Sequence, residues 1–122
     1  MKHLFLSLLI LLGLPAAETE AAVKGHVPVL LQLKEPALVP FFLDQKALGI
    51  EGEPLGQAVQ HQTTRLANEQ ERLAKRLTDD GIRVTKRFTR VINVLRVRVA
   101  PASVGNLAKF PGVMRVERPR AY

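Results

Sequence analysis

Hydrophobic and polar positions along this chain follow two different periods. Over Val27–Lys34 (V-P-V-L-L-Q-L-K), Val27, Val29, Leu31 and Leu33 recur at every second position. That is the period of a half-buried strand, whose side chains point to opposite faces in turn. Gln32 and Lys34 take the other face. Pro28 suits a strand end or an edge, and Glu35-Pro36 closes the run because a proline cannot donate to a ladder. The period then changes. Over Gln57–Asp80, Val59, Leu66 and Leu73 recur every seven residues, Leu77 adds a further apolar point, and Ala67, Gln70 and Ala74 widen the stripe. This predicts a long helix with one apolar face, stopped by Gly81. Alternation returns over Ile82–Phe88, where Ile82, Val84 and Phe88 share one side and Arg83, Thr85 and Arg87 the other. It returns again over Ile92–Ala100, where Leu95, Val97 and Val99 oppose Arg96 and Arg98. Pro101 opens a short helix with Val104, Leu107 and Ala108 on one side. Pro111-Gly112 ends that helix, and Val113–Glu117 forms a last short strand.

The stretch between the first strand and the long helix shows no period. Residues 37–56 read as a loop in which Pro40-Phe41-Phe42-Leu43 packs on the core as a short turn of helix. Residues 49–56, with Gly49, Gly52, Gly56 and Pro54, read as its mobile part. The order strand, long helix, strand, strand, short helix, strand predicts an α+β, ferredoxin-like βαββαβ fold. Its four-stranded antiparallel sheet carries both helices on one face. The other face is left open. Gln32, Lys34, Arg83, Thr85, Arg87, Arg96 and Arg98 fall there, with Leu30, Ile92 and Val94 among them. The register of the last strand leaves the side taken by Arg115 undecided.

The N-terminus changes the picture of where the domain works. Lys2 and His3 precede an apolar run, Leu4–Leu14, and then Pro15-Ala16-Ala17. This is the layout of a signal peptide over residues 1–17, with its end between residues 15 and 22, and it predicts a secreted or periplasmic protein. The run is too short to span a bilayer, which takes about 20 apolar residues, so no membrane association beyond export is expected. Residues 18–26 read as a flexible lead-in and 27–117 as one domain. Loss of residues 1–17 removes Lys2 alone, which takes the formal charge from +7 to +6. That excess favours an acidic partner in general. The chain has no cysteine, so no disulfide completes its modest core.

Catalytic chemistry is not assembled by these residues. The histidines are His3, His26 and His61, and the serines are Ser7 and Ser103, which gives no Ser-His-Asp arrangement. Asp44, Asp79 and Asp80 lie in a loop and at a helix end. No zinc or calcium spacing and no phosphate-binding glycine loop occurs. The chain by itself is expected to be no enzyme and to use neither metal nor cofactor. RNA-recognition domains use the same topology with aromatic residues on the open face. The reading above puts no Phe or Tyr at its centre, so nucleic acid is not the expected partner, and a basic nucleic-acid-binding module is the alternative function.

Four stretches carry a family resemblance over Val27 to about Arg120. V-P-V-L-L-Q-L-K-E-P-A-L (Val27–Leu38) is similar to a first strand with an x-L-K-x-P ending. R-L-A-N-E-Q-E-R-L-A-K-R-L (Arg65–Leu77) is similar to a long helix. I-N-V-L-R-V-R-V (Ile92–Val99) is similar to a V-x-N-G-F-A-V-x-L strand, and N-L-A-K-F-P-G-V-M-R-V-E (Asn106–Glu117) to an L-x-x-x-P-G-V-x-x-V-E ending. In this order they resemble the prodomains of secreted subtilisin-like serine proteases, the propeptide inhibitors. Asn93 of the hairpin is kept, while Val94 and Leu95 stand where the family has Gly-Phe.

The resemblance implies an inhibitor and intramolecular chaperone whose partner is a subtilisin-like serine protease, in cis or in trans. The open face, with Arg83, Arg87, Arg96 and Arg98, would dock on two surface helices of the protease. Glu117 would cap a protease helix N-terminus, where unpaired N–H groups and the dipole favour an anion. The tail Arg118, Pro119, Arg120, Ala121 and Tyr122 would lie in the substrate cleft as an added strand. The chain is then either a free-standing inhibitor or part of a longer precursor whose whole would be a subtilisin-like endopeptidase.

Overall fold

The computed structural model describes residues 25–119. The signal segment, most of the lead-in and the tail residues Arg120, Ala121 and Tyr122 lie outside the described residues. Strand β1 (Val27–Leu33) is followed by helix α1 (Leu38–Ala47) and helix α2 (Gly52–Asp79). Then come strands β2 (Arg83–Phe88) and β3 (Val94–Val99), a 3-10 helix (Pro101–Lys109) and strand β4 (Val113–Glu117). The four strands form one sheet in the order β2-β3-β1-β4, with every neighbouring pair antiparallel. This is the ferredoxin-like α+β architecture expected from the alternating periods.

The core lies between one sheet face and the helices. Val29, Leu31 and Leu33 of β1 and Leu95, Val97 and Val99 of β3 meet Leu73 and Leu77 of α2 and Leu107 of the 3-10 helix. Leu31, Leu66, Leu77, Leu95, Val97 and Leu107 are fully inaccessible. Helix α2 buries Gln62, Leu66, Gln70, Leu73, Ala74 and Leu77, a stripe at helical spacing. Ala67, expected to widen this stripe, is exposed instead. The helix ends at Gly81, whose φ of +80° is the left-handed turn that glycine adopts without strain. The 3-10 helix begins with Pro101 and buries only Leu107, while Val104 is half-buried and Ala108 exposed.

The region expected to be a loop is helical. Helix α1 has ten residues and buries none of them, so no polar–apolar period marked it in the sequence. Its first turn is tied to the β2–β3 connection, because the Leu38 and Val39 N–H groups donate to the Thr89 and Arg90 carbonyls at 2.9 and 2.8 Å. Helix α2 starts at Gly52 rather than Gln57 and runs for 28 residues. Pro54 is accommodated because it falls in the first turn, where the backbone N–H groups have no helical partner. Residues 52–61 of α2 bury nothing. Instead α1 packs alongside α2 as the first arm of a helical hairpin.

Two bulges shift the faces of the edge strands. In β2, Val84 pairs with Val97 but Lys86 pairs with Arg96, so Thr85 is an extra residue. A bulge puts two residues opposite one and moves every later side chain to the other face. Lys86 and Phe88 therefore stand on the open face with Arg83. Arg87, expected there, pairs with Leu95 and lies on the helix side. Its guanidinium donates to the Glu71 carboxylate of α2 at 2.9 Å. In β4 a second irregularity lies between the Gln32 and Leu33 partners and leaves Met114 unpaired. Arg115 is thereby set opposite Gln32 on the open face.

Candidate functional site

Cross-strand partners in an antiparallel sheet share a face, so the pairings give the open face as three rows. Phe88, Val94, Gln32 and Arg115 form one row. Lys86, Arg96, Leu30 and Glu117 form the next, and Arg83, Arg98 and Pro28 the third. No helix of the described residues lies over these rows, since α2 and the 3-10 helix both contribute to the core on the opposite side. Val94 is nevertheless buried, with Phe88 and Gln32 as its neighbours across the strands. Ile92 falls outside the sheet, in the β2–β3 connection, and is exposed. Lys34 lies just beyond the end of β1.

The electrostatics of this face are one-sided. Arg83 stands opposite Arg98, and Lys86 opposite Arg96. Among the described residues none of these four cations has a carboxylate within 4.0 Å. Like charges set directly opposite on a sheet are destabilising. Arg96 is steadied by Thr85, whose hydroxyl accepts from its Nε at 3.1 Å and donates to its carbonyl at 3.1 Å. Arg98 donates one Nη2 bond to the His26 carbonyl at 3.2 Å. Its buried Nε finds no acceptor among the described residues. On the far side of the face, Glu117 is already engaged by Arg115 at 3.1 Å. Arg118 and Pro119 follow β4 as exposed, non-helical backbone.

Of the residues expected on the face, Arg83, Arg96 and Arg98 are brought together and Arg87 is not. Lys86 and Phe88 are the additions. Lys86 Nζ lies 5.8 Å from the centre of the Phe88 ring, in line with two residues on one side of a strand. Their signal was present in the sequence, because unbroken alternation from Ile82 would have pointed Lys86 into the core.

Asn93 does more than turn a hairpin. It is 4% exposed and stands at the junction of α2, β1 and the β2–β3 connection. Its Nδ2 donates to the Glu35 carbonyl at 2.9 Å. Its Oδ1 accepts from Gln70 Nε2 at 2.8 Å, and Gln70 also donates to the Phe88 carbonyl at 2.9 Å. Its own carbonyl accepts from the Leu33 N–H at 2.9 Å. This network holds the ends of β1, β2 and β3 in one plane and so fixes the open face from behind.

Among the described residues no group of three or more His, Asp or Glu is placed to hold a metal ion. No helix of the described residues is long and apolar enough to cross a membrane. Fold and face together define a class: a ferredoxin-like α+β domain with a packed helical side and a basic sheet side that no described helix covers. Comparison with protein-family models, with curated proteins and with solved structures finds no match.

Proposed function

We propose that this chain is a prodomain-type inhibitor and intramolecular chaperone of a subtilisin-like serine protease, exported by its N-terminal segment. The observation that carries the reading is the sheet face of β1 and β3 that no described helix covers, backed by a buried apolar core. The ordered resemblance of Val27–Leu38, Arg65–Leu77, Ile92–Val99 and Asn106–Glu117 to propeptide inhibitors supports it, since those stretches supply β1, the C-terminal half of α2, β3 and β4. In this reading the sheet face docks on two surface helices of the protease. Glu117 exchanges Arg115 for the N-terminus of a protease helix. Arg118 and Pro119 lead the tail toward the substrate cleft, where an extended segment adds a strand. The domain performs no chemistry of its own. Binding only the folded protease, it shifts the protease toward that state and so assists its folding.

The test titrates the purified chain against a panel of subtilisin-like proteases. Two readouts are followed: hydrolysis of a chromogenic peptide, and recovery of activity by denatured protease. Inhibition and faster recovery with at least one enzyme are expected. Neither effect with any enzyme removes the proposal.

A second reading is favoured by one observation, the placing of Phe88 beside Lys86 on the basic face. A base could stack there while the cations meet phosphates. It is the weaker reading, because Phe88 lies on an edge strand while the central strands offer Leu30, Gln32, Val94 and Arg96. Oligonucleotide binding at low salt, measured by fluorescence anisotropy, decides it.

A further inference from the structure

Resting on the protease reading, we infer that the surface covering the open face is an acidic helical one, whose carboxylates meet the cation quadrangle Arg83, Lys86, Arg96 and Arg98. Charge complementarity selects this occupant. Four cations are gathered on two adjacent strands, in two directly opposed like-charge pairs, with no carboxylate of the described residues within 4.0 Å of any. Repulsion between them penalises the free domain, and opposite charge brought by a partner relieves it. The Arg98 Nε, buried and without an acceptor among the described residues, adds to that penalty.

The spacing says what kind of surface fits. Opposed side chains on neighbouring strands start about 5 Å apart, and residues two apart along a strand about 7 Å apart. Carboxylates at i and i+4 of a helix start about 5–6 Å apart, so one acidic helix face spans the quadrangle. Its arginines can grip carboxylates with two parallel N–H donors. The rest of the face divides the labour. Half-buried Leu30 stands at its apolar centre, and the Arg115–Glu117 pair closes the opposite side. The quadrangle thus chooses among proteases of the same fold: those with acidic docking helices are bound and those with neutral or basic ones are passed over. Part of that choice is kinetic, since complementary charge speeds encounter.

The experiment compares the chain with its Arg83→Gln/Lys86→Gln/Arg96→Gln/Arg98→Gln variant in the protease titration, at about 0.05 M and about 0.5 M salt. Thermal melting confirms that the variant is folded, relief of like-charge repulsion offsetting the lost Arg96–Thr85 and Arg98–His26 bonds. Expected are inhibition by the parent that weakens about tenfold or more at high salt, and inhibition by the variant about tenfold to a hundredfold weaker at low salt and nearly salt-independent. Inhibition by parent and variant alike, with no salt effect, overturns this inference and leaves the inhibitor reading standing. No inhibition of any protease at either salt overturns the inhibitor reading and this inference with it. Binding of an oligonucleotide by the parent, lost in the variant and without protease inhibition, overturns both in favour of nucleic acid.

Discussion

Replacing Asn93 by alanine should destabilise the domain by loosening the open sheet face from behind. The side chain is buried and makes two hydrogen bonds, to the Glu35 carbonyl at 2.9 Å and with Gln70 at 2.8 Å. Alanine removes both. It leaves the Glu35 carbonyl without its side-chain donor, while Gln70 keeps its bond to the Phe88 carbonyl at 2.9 Å. Each lost bond is worth about 1 kcal/mol net, and a buried group left without a partner adds about 1–3 kcal/mol. The expected loss is therefore about 3 kcal/mol, a large share of the roughly 5–15 kcal/mol that holds a domain of this size together. Urea unfolding followed by circular dichroism measures it as a lower midpoint at unchanged slope. The melting midpoint should fall by roughly 10–20 °C. A cycle with Gln70→Ala should return a coupling of about 1 kcal/mol or more, because the two amides share one bond. A loss below about 0.5 kcal/mol for Asn93→Ala, or additive effects in the cycle, would refute the claim that this network braces the face.

Other consequences can be checked on the same material. Leu66→Ala and Leu77→Ala, both at positions with no exposed surface, should each destabilise by about 2–5 kcal/mol in urea titrations. Gly81→Ala should lower stability by about 1 kcal/mol. Its φ is +80° with nothing within 4 Å of an added Cβ, so the effect comes from the backbone and not from a clash. Lys86→Glu sets a carboxylate opposite Arg96 and should stabilise the free domain by a few tenths to about 1 kcal/mol, while weakening any inhibition found in the protease titration. Leu43→Ser on α1 should change stability by less than about 0.5 kcal/mol, since Leu43 is 57% exposed.

The strands were legible because one face of the sheet is buried, which imprints a period of two on β1 and β3. The stripe of α2 was legible for the same reason, down to Leu77 and the glycine stop. Residue faces failed where a bulge intervened. Alternation counts residues, and Thr85 and Met114 are each one residue too many, so alternation alone puts Arg87 on the wrong side and leaves Arg115 undecided. Lys86 was the available warning. Helix α1 was hidden because burial is what writes a pattern, and α1 buries nothing. The glycines and proline of residues 49–56 looked like a loop, yet Gly52 and Pro54 occupy a helix start that tolerates both. The Gln70–Asn93 bond joins residues 23 apart that carried separate readings, one as part of an apolar stripe and one as a hairpin residue.

Whether a protease covers the open face decides the inhibitor reading most directly. The chain has no cysteine, so a single introduced one reports its own accessibility. Leu30→Cys places it at the centre of the face, opposite Arg96 and Glu117, and Ala67→Cys places it on the exposed side of α2. Thiol labelling is timed with and without an inhibited subtilisin-like protease. Slower labelling at position 30 with an unchanged rate at position 67 is the predicted result. Equal rates at position 30 in the free and protease-bound chain would contradict it.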